Sequence, residues 1–265
     1  MKQWMVLGMA ALMVMPVMAQ TKKKPMKFAN NNVVAHRGAF KANGFPENSI
    51  ASLQEAIRLG CTGSEFDVRM TADDSLIINH DEHYNKLLIE ETTYAALQQF
   101  PLSNGEKLPT LREYLLAGMK ANTHTRLVLE IKPSGMGKER AVKIVDAAVA
   151  LVKSLQAEQY VVYISFDYNM MLRLKQLVPY APMQYLEGDK SPAQLKADGI
   201  MGLDYHFSVF EKHPDWVTEA KQLGLVLNAW TVNDAAKMDE LLQLGFDFIT
   251  TNEPELLLTK FKKRK

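Results

Sequence analysis

From Asn32 onward, short β-branched or apolar runs alternate with amphipathic helical stretches, the rhythm of repeated βα units around a parallel sheet. The runs predict strands at Val33 to His36, Ser64 to Val68, Leu127 to Ile131, Val161 to Phe166, Met183 to Leu186, Ile200 to Tyr205, Leu225 to Trp230 and Phe246 to Thr250. Eight such strands close a (β/α)8 TIM barrel. A further run, Leu76 to His80, follows the polar turn Thr71 to Ser75 too closely for a crossover helix, so it should return as a hairpin partner of the second strand. In the helix from Ser49 to Leu59, Ile50, Leu53 and Ile57 share one face with Ala56, and Gly60 stands where a left-handed cap belongs. Ser191-Pro192 reads as an N-cap with proline in the first helical position, and Asn233 or Asp234 as the cap of a helix running through Leu244 to Gly245. Asp81 to Gly105 has weak periodicity and is expected to be a small insertion on the active-site side, before a helix beginning near Leu111.

A chain of 265 residues suits one α/β barrel, here residues 32–265, better than two small domains. The first nineteen residues read as a signal peptide: Lys2, an apolar run from Met5 to Met18, and small residues suited to cleavage after Ala19. That run is shorter than the roughly 20 residues a membrane span requires, so no stable membrane insertion is expected after cleavage. Residues 20–31 would be a linker, and the product would be exported, periplasmic or secreted. Lys+Arg 31 against Asp+Glu 30 leaves no field to gather nucleic acid, and the charge-dense tail Lys260 to Lys265 reads as a solvated helix end. Cys61 is alone, so no intrachain disulfide holds the fold, and its place between a helix end and a strand suits an inert buried thiol. No sequence feature specifies an oligomeric state.

Barrel enzymes carry their chemistry at the C-terminal ends of the strands. There this chain has His36-Arg37-Gly38, Glu65-Phe66-Asp67, His80-Asp81, Glu130-Ile131-Lys132 and Trp230. Glu65 and Asp67, two apart on a strand, share a face. Two buried like charges repel, and a hard divalent cation resolves the repulsion, with Glu130 across the barrel as third ligand. Alternatively, Arg69 or Lys132 neutralises these acids. His36 and His80 can supply the base and the acid that a phosphodiester displacement needs, while Arg37 and Lys132 can hold phosphoryl oxygens. His206 stands near the expected mouth; His83, His124 and His213 read as solvent-facing.

Together these residues resemble the glycerophosphodiester phosphodiesterase family, whose pattern is matched in order by His36-Arg37-Gly38, Pro46-Glu47-Asn48-Ser49, Glu65-Phe66-Asp67-Val68, His80-Asp81 and Glu130-Ile131-Lys132. Leu108 to Leu111, Trp230 to Asn233 and Ile249 to Pro254 extend the likeness over nearly the whole expected mature chain. The resemblance implies a hydrolase that splits glycerophosphodiesters into glycerol phosphate and an alcohol. His36 and His80 would be catalytic, Glu65, Asp67 and Glu130 would hold one Ca2+ or Mg2+, and Arg37 and Lys132 would bind the phosphate. Glu47 would orient Arg37 or touch substrate, and Trp230 would either wall the glycerol pocket or pack in the core. The family mechanism can pass through a cyclic phosphate formed by the glycerol 2-hydroxyl. The chain departs from the pattern in a seven-residue loop between Gly38 and Pro46, in Asp74 where glycine is common, in Asn252 where aspartate is common, and in His83 to Lys86. Two rival functions share the barrel: a phospholipase D-like or cyclising lyase, and a non-catalytic phosphoester-binding protein.

Overall fold

The computed structural model describes Met1 and residues 27–263. Apart from Met1, the expected signal peptide lies outside the described residues, as do residues 20–26 of the expected linker and the last two of the basic tail. Strand β1 (Val33–Ala35) lies parallel to β2 (Gly63–Met70), and β3 (Leu76–Ile78) folds back antiparallel on β2 as the hairpin turn requires. A separate hairpin follows, β4 (His83–Tyr84) and β5 (Leu87–Leu88). The parallel series then continues through β6 (Arg126–Ile131), β7 (Val161–Ser165), β8 (Met183–Tyr185), β9 (Gly202–His206), β10 (Val226–Trp230) and β11 (Phe248–Thr251). Because β11 pairs with β1, the cylinder is closed, and the protein is a (β/α)8 barrel. Each barrel strand lies within two residues of its expected ends.

Period-two alternation sorts the side chains. Outward residues such as Phe66, Leu129 and Leu203 pack against the helices in the large core, and Phe66 meets Tyr114 with ring centroids 4.5 Å apart. Inward, Val34, Val128, Val162, Ile164 and Leu186 fill the cylinder as a second, smaller cluster. The first helix, Ile50–Leu59, has Ser49 Oγ accepting from Ser52 N at 3.0 Å and Gly60 at φ 77 as its left-handed cap. Ser191 caps the helix Pro192–Ala197. Of the two residues expected to cap Ala235–Gln243, Asp234 does so, accepting from Lys237 N at 2.8 Å; Asn233 Oδ1 instead accepts from Asn252 N.

The segment 81–105 is more ordered than its weak periodicity suggests. It carries the β4–β5 hairpin, a 3-10 turn at Ile89–Glu91 and a one-turn helix at Tyr94–Leu97. Ile89 and Leu97 join Ile77 and Leu108 in a small core separate from the barrel's. Elements of two to four residues are too short to show a period, so only their burial reveals them.

Candidate active site

His36 follows β1 directly, and the chain then turns sharply. Arg37 has φ 54 and Gly38 has φ 81, and a Cβ on Gly38 would lie 2.6 Å from the carbonyl carbon of Ser52. The turn aims Arg37 N at Glu65, whose Oε2 accepts it at 2.8 Å. Asn48, also left-handed at φ 58, clamps Asp67: its Nδ2 donates to Asp67 Oδ2 at 2.8 Å and its Oδ1 accepts from Asp67 N at 3.2 Å. Strained backbone of this kind persists where surrounding contacts over-determine it.

Glu65 and Asp67 both face inward on β2, as their spacing requires. Glu130 does not lie across the barrel from them. It stands on the adjacent strand β6, with its Cα paired to that of Asp67. Once β3 to β5 leave the cylinder, β6 is the next barrel strand, and a right-handed connection sets it beside β2. One oxygen from each of the three acids lies within 4.8 Å of the others. Lys132, from the same face of β6, reaches Glu130 at 2.7 Å and Asp67 at 3.1 Å, so the pairing envisaged for it is present. Arg69 instead donates to the backbone oxygen of His80.

One lysine does not satisfy three acids. Glu65 Oε1 is buried with no hydrogen-bond partner. Burial, then the charges of Asp67 and Glu130, push the Glu65 carboxyl well above the usual range. Burial and Asp67 likewise push Glu130 up to about 7 against the pull of Lys132. Burial also opposes ionisation of Asp67, but Lys132, His80, Asn48 and Arg37 together outweigh it and bring that carboxyl to about 2. A buried, unpartnered carboxylate oxygen within such a cluster fits a hard divalent cation.

His36, His80 and Arg37 line one cavity of about 90 Å³ together with Glu65 and Glu130. His36 Nδ1 faces Asn252 Oδ1 at 2.7 Å, and its Nε2 lies 3.9 Å from Glu65. Burial and the neighbouring Arg37 bring this imidazole down to about 4, so it is neutral near pH 7. His80 Nδ1 is held by Asp81 at 2.7 Å. Both oxygens of Glu47 accept from Arg37 Nη1 at 2.9 Å, and Arg37 Nε lies 3.8 Å from Asp67. The apolar part of the cavity lining is Ile164, Phe166, Leu186 and Trp230, with Ile164 paired in register to Glu130. Trp230 both lines this cavity and packs against the inner barrel cluster, with its Nε1 donating to the backbone oxygen of Asp204 at 2.8 Å.

The family model for the glycerophosphoryl diester phosphodiesterase family matches residues 36–256. The chain belongs to the glycerophosphoryl diester phosphodiesterase family. It is an enzyme of the phosphoric diester hydrolase class. A glycerophosphodiester phosphodiesterase from Parabacteroides distasonis has a crystal structure similar at TM-score 0.86 and 41% identity, over 89% of this chain and 99% of that one. An Oleispira antarctica phosphodiesterase, solved in complex with its product sn-glycerol-3-phosphate, is similar at TM-score 0.75 and 25% identity, over 87% and 96% of the two chains. Among curated proteins, a glycerophosphodiester phosphodiesterase of Caldanaerobacter subterraneus is 27% identical over 248 residues, spanning 87% of this chain and 98% of the relative.

The places where this phosphodiesterase family member departs from the expected pattern have local explanations. Asp74 sits at φ 63, a conformation that suits glycine but that aspartate tolerates, and Arg140 and Lys143 each bind it at 2.6 Å. Asn252 offers the oxygen that meets His36. The seven-residue loop after Gly38 is tied down by Phe45 N donating to Phe40 O at 2.9 Å, by Asn43 on Glu55, and by contact of Lys41 with Glu253. His83 is exposed, and His213 is exposed and stacked on Trp216. His206 does not line the cavity: it caps the helix Phe207–Lys212 and packs edge-on against Trp230. His124 is not solvent-facing but half-buried, with its Nε2 at 3.0 Å from Ile57 O. Cys61 is fully buried, and burial pushes its thiol up to about 12, which leaves it unreactive.

Proposed function

We propose that this enzyme hydrolyses glycerophosphodiesters to glycerol phosphate and an alcohol, with His36 and His80 as base and acid and one divalent cation, Ca2+ or Mg2+, held by Glu65, Asp67 and Glu130. The carrying observation is that both imidazoles line one cavity with Glu65 and Glu130, while Asp67 lies buried beside those two acids and Glu65 keeps an unpartnered oxygen. When bound there, a divalent ion would supply Lewis-acid polarisation of a phosphoryl oxygen. Arg37 and Lys132 flank the same region and can neutralise the charge on the non-bridging oxygens. Asn252 accepts the Nδ1 proton of His36, which leaves the Nε2 lone pair toward the cavity to take a proton from the attacking oxygen. Asp81 accepts from His80 Nδ1, and His80 acts as acid in its imidazolium form, whose Nε2 carries the proton handed to the leaving alcohol. Glu47 positions Arg37 from outside the cavity. The relative solved with sn-glycerol-3-phosphate supports the same product here.

Phosphorus NMR with glycerophosphocholine tests this reading. The expected result is a growing glycerol phosphate signal that stops on chelation and resumes when Ca2+ or Mg2+ is restored. Turnover indifferent to chelator would remove the cation from the proposal, and a cyclic phosphate that accumulates without opening would favour the cyclising lyase.

We also propose export, supported by Lys2, the apolar run to Met18 and the small residues before Gln20. N-terminal sequencing of protein recovered from outside the cytoplasm should begin at Gln20. Recovery only from the cytoplasm with Met1 intact would contradict it.

A further inference from the structure

Besides Glu65 and Glu130, a third acid lines the cavity and has no part in the mechanism above. Asp204 lies on β9, is 1% exposed, and its Oδ1 has no hydrogen-bond partner. It is not one of the three acids whose oxygens cluster within 4.8 Å. Its register neighbour on β10 is Asn228, whose amide meets Thr250 Oγ1 at 3.1 and 3.2 Å and keeps a second Nδ2 hydrogen for the Asp204 carboxyl, which leaves Oδ1 as the unmatched oxygen. Around it the wall is apolar: Ile164, Phe166, Leu186 and Trp230. Asp204 is therefore a buried acceptor in the same cavity as Glu130, with apolar side chains and Thr250 also in its lining.

We infer that Asp204 is a specificity-determining residue whose Oδ1 accepts a hydrogen bond from the terminal hydroxyl of the substrate's glycerol unit. This rests on the proposed glycerophosphodiester reading and extends it. Arg37 and Lys132 hold the phosphate end beside Asp67, which leaves the glycerol carbon farthest from phosphorus to reach Asp204 elsewhere in the cavity lining. Its C–H groups lie against the apolar wall, and its hydroxyl supplies the donor that Oδ1 lacks. Either charge state of the carboxyl offers that acceptor. A site built to hydrogen-bond a hydroxyl discriminates strongly against an analogue without one, because the buried partner is then left unmatched.

The test compares glycerophosphoethanolamine with 2-hydroxypropyl phosphoethanolamine, which keeps the 2-hydroxyl and lacks the terminal one. The wild-type enzyme should prefer the first by about 100-fold in kcat/KM. In Asp204→Ala the ratio should collapse to about 3-fold or less, while Asp204→Asn, which keeps an acceptor of the same shape, should retain a preference of about 10-fold or more. Calorimetry of glycerol 3-phosphate against 2-hydroxypropyl phosphate should give the same pattern without turnover. Ca2+ and Mg2+ affinity should not change in either variant. An unaltered ratio in Asp204→Ala, equal losses on both compounds, a wild-type enzyme without preference, or a tenfold fall in metal affinity would each overturn the assignment. If the wild type turns over neither diester yet binds the phosphates with the stated preference, the hydrolytic reading fails and this one stands.

Discussion

His80→Ala is expected to lower kcat about a thousand-fold, and His36→Ala by a similar factor, with the fold and metal affinity retained, since positioned acids and bases contribute roughly 10²–10⁴ each. Neither imidazole is among the three acids proposed to hold the ion, so calorimetric Ca2+ or Mg2+ binding should persist in both variants. The two losses should also separate by substrate. If His80 protonates the leaving alcohol, a nitrophenolate leaving group, which departs without a proton, should restore much of the rate of His80→Ala and little of that of His36→Ala. Full activity of either variant on glycerophosphocholine would remove that histidine from the chemistry.

Glu65→Gln should have two effects of opposite sign. Metal affinity should fall about 100-fold or more, because a charged oxygen ligand is replaced by a neutral one. The metal-free protein, by contrast, should become more stable at pH 8. Glu65 is raised by burial and by Asp67 and Glu130, so the folded chain holds this proton to a higher pH than the unfolded chain. From about pH 4.5 upward the fold binds more protons than the unfolded state, and metal-free stability falls until Glu65 is fully ionised. Glutamine escapes that loss and can still accept from Arg37 N. Thermal melts in chelator should therefore show the variant above the wild type at pH 8 and the gap closing toward pH 5. Added Ca2+ should reverse the order at pH 8. Unchanged metal affinity in the variant would remove Glu65 from the cage.

Much of this site was legible because barrel strands obey a period of two and end at the catalytic face. Glu65 and Asp67 had to share a side, and His36 had to sit at the mouth. The position of Glu130 was misjudged as opposite, although setting aside the hairpin strand makes β6 the next strand in the cylinder. Asp204 also carried a signal: Gly202, Asp204 and His206 alternate with Leu203 and Tyr205, which puts an acid on the inner face of β9. Asn48 and Asn252 were harder. Their value lies in side-chain amides that meet Asp67 and His36 across 19 and 216 positions of chain, a proximity that no local pattern encodes. The small core of Ile77, Ile89, Leu97 and Leu108 was illegible for a related reason, since its members come from separate short pieces.

The kernel formed by Ile77, Ile89, Leu97 and Leu108 draws on β3 and on the chain beyond residue 105, so the segment between is moored to the barrel by its own packing. Because His80 and Asp81 stand at its start and Glu90 accepts from Ser134 and Gly135 beyond β6, a change in the length of this segment would reshape the cavity rim beside His80.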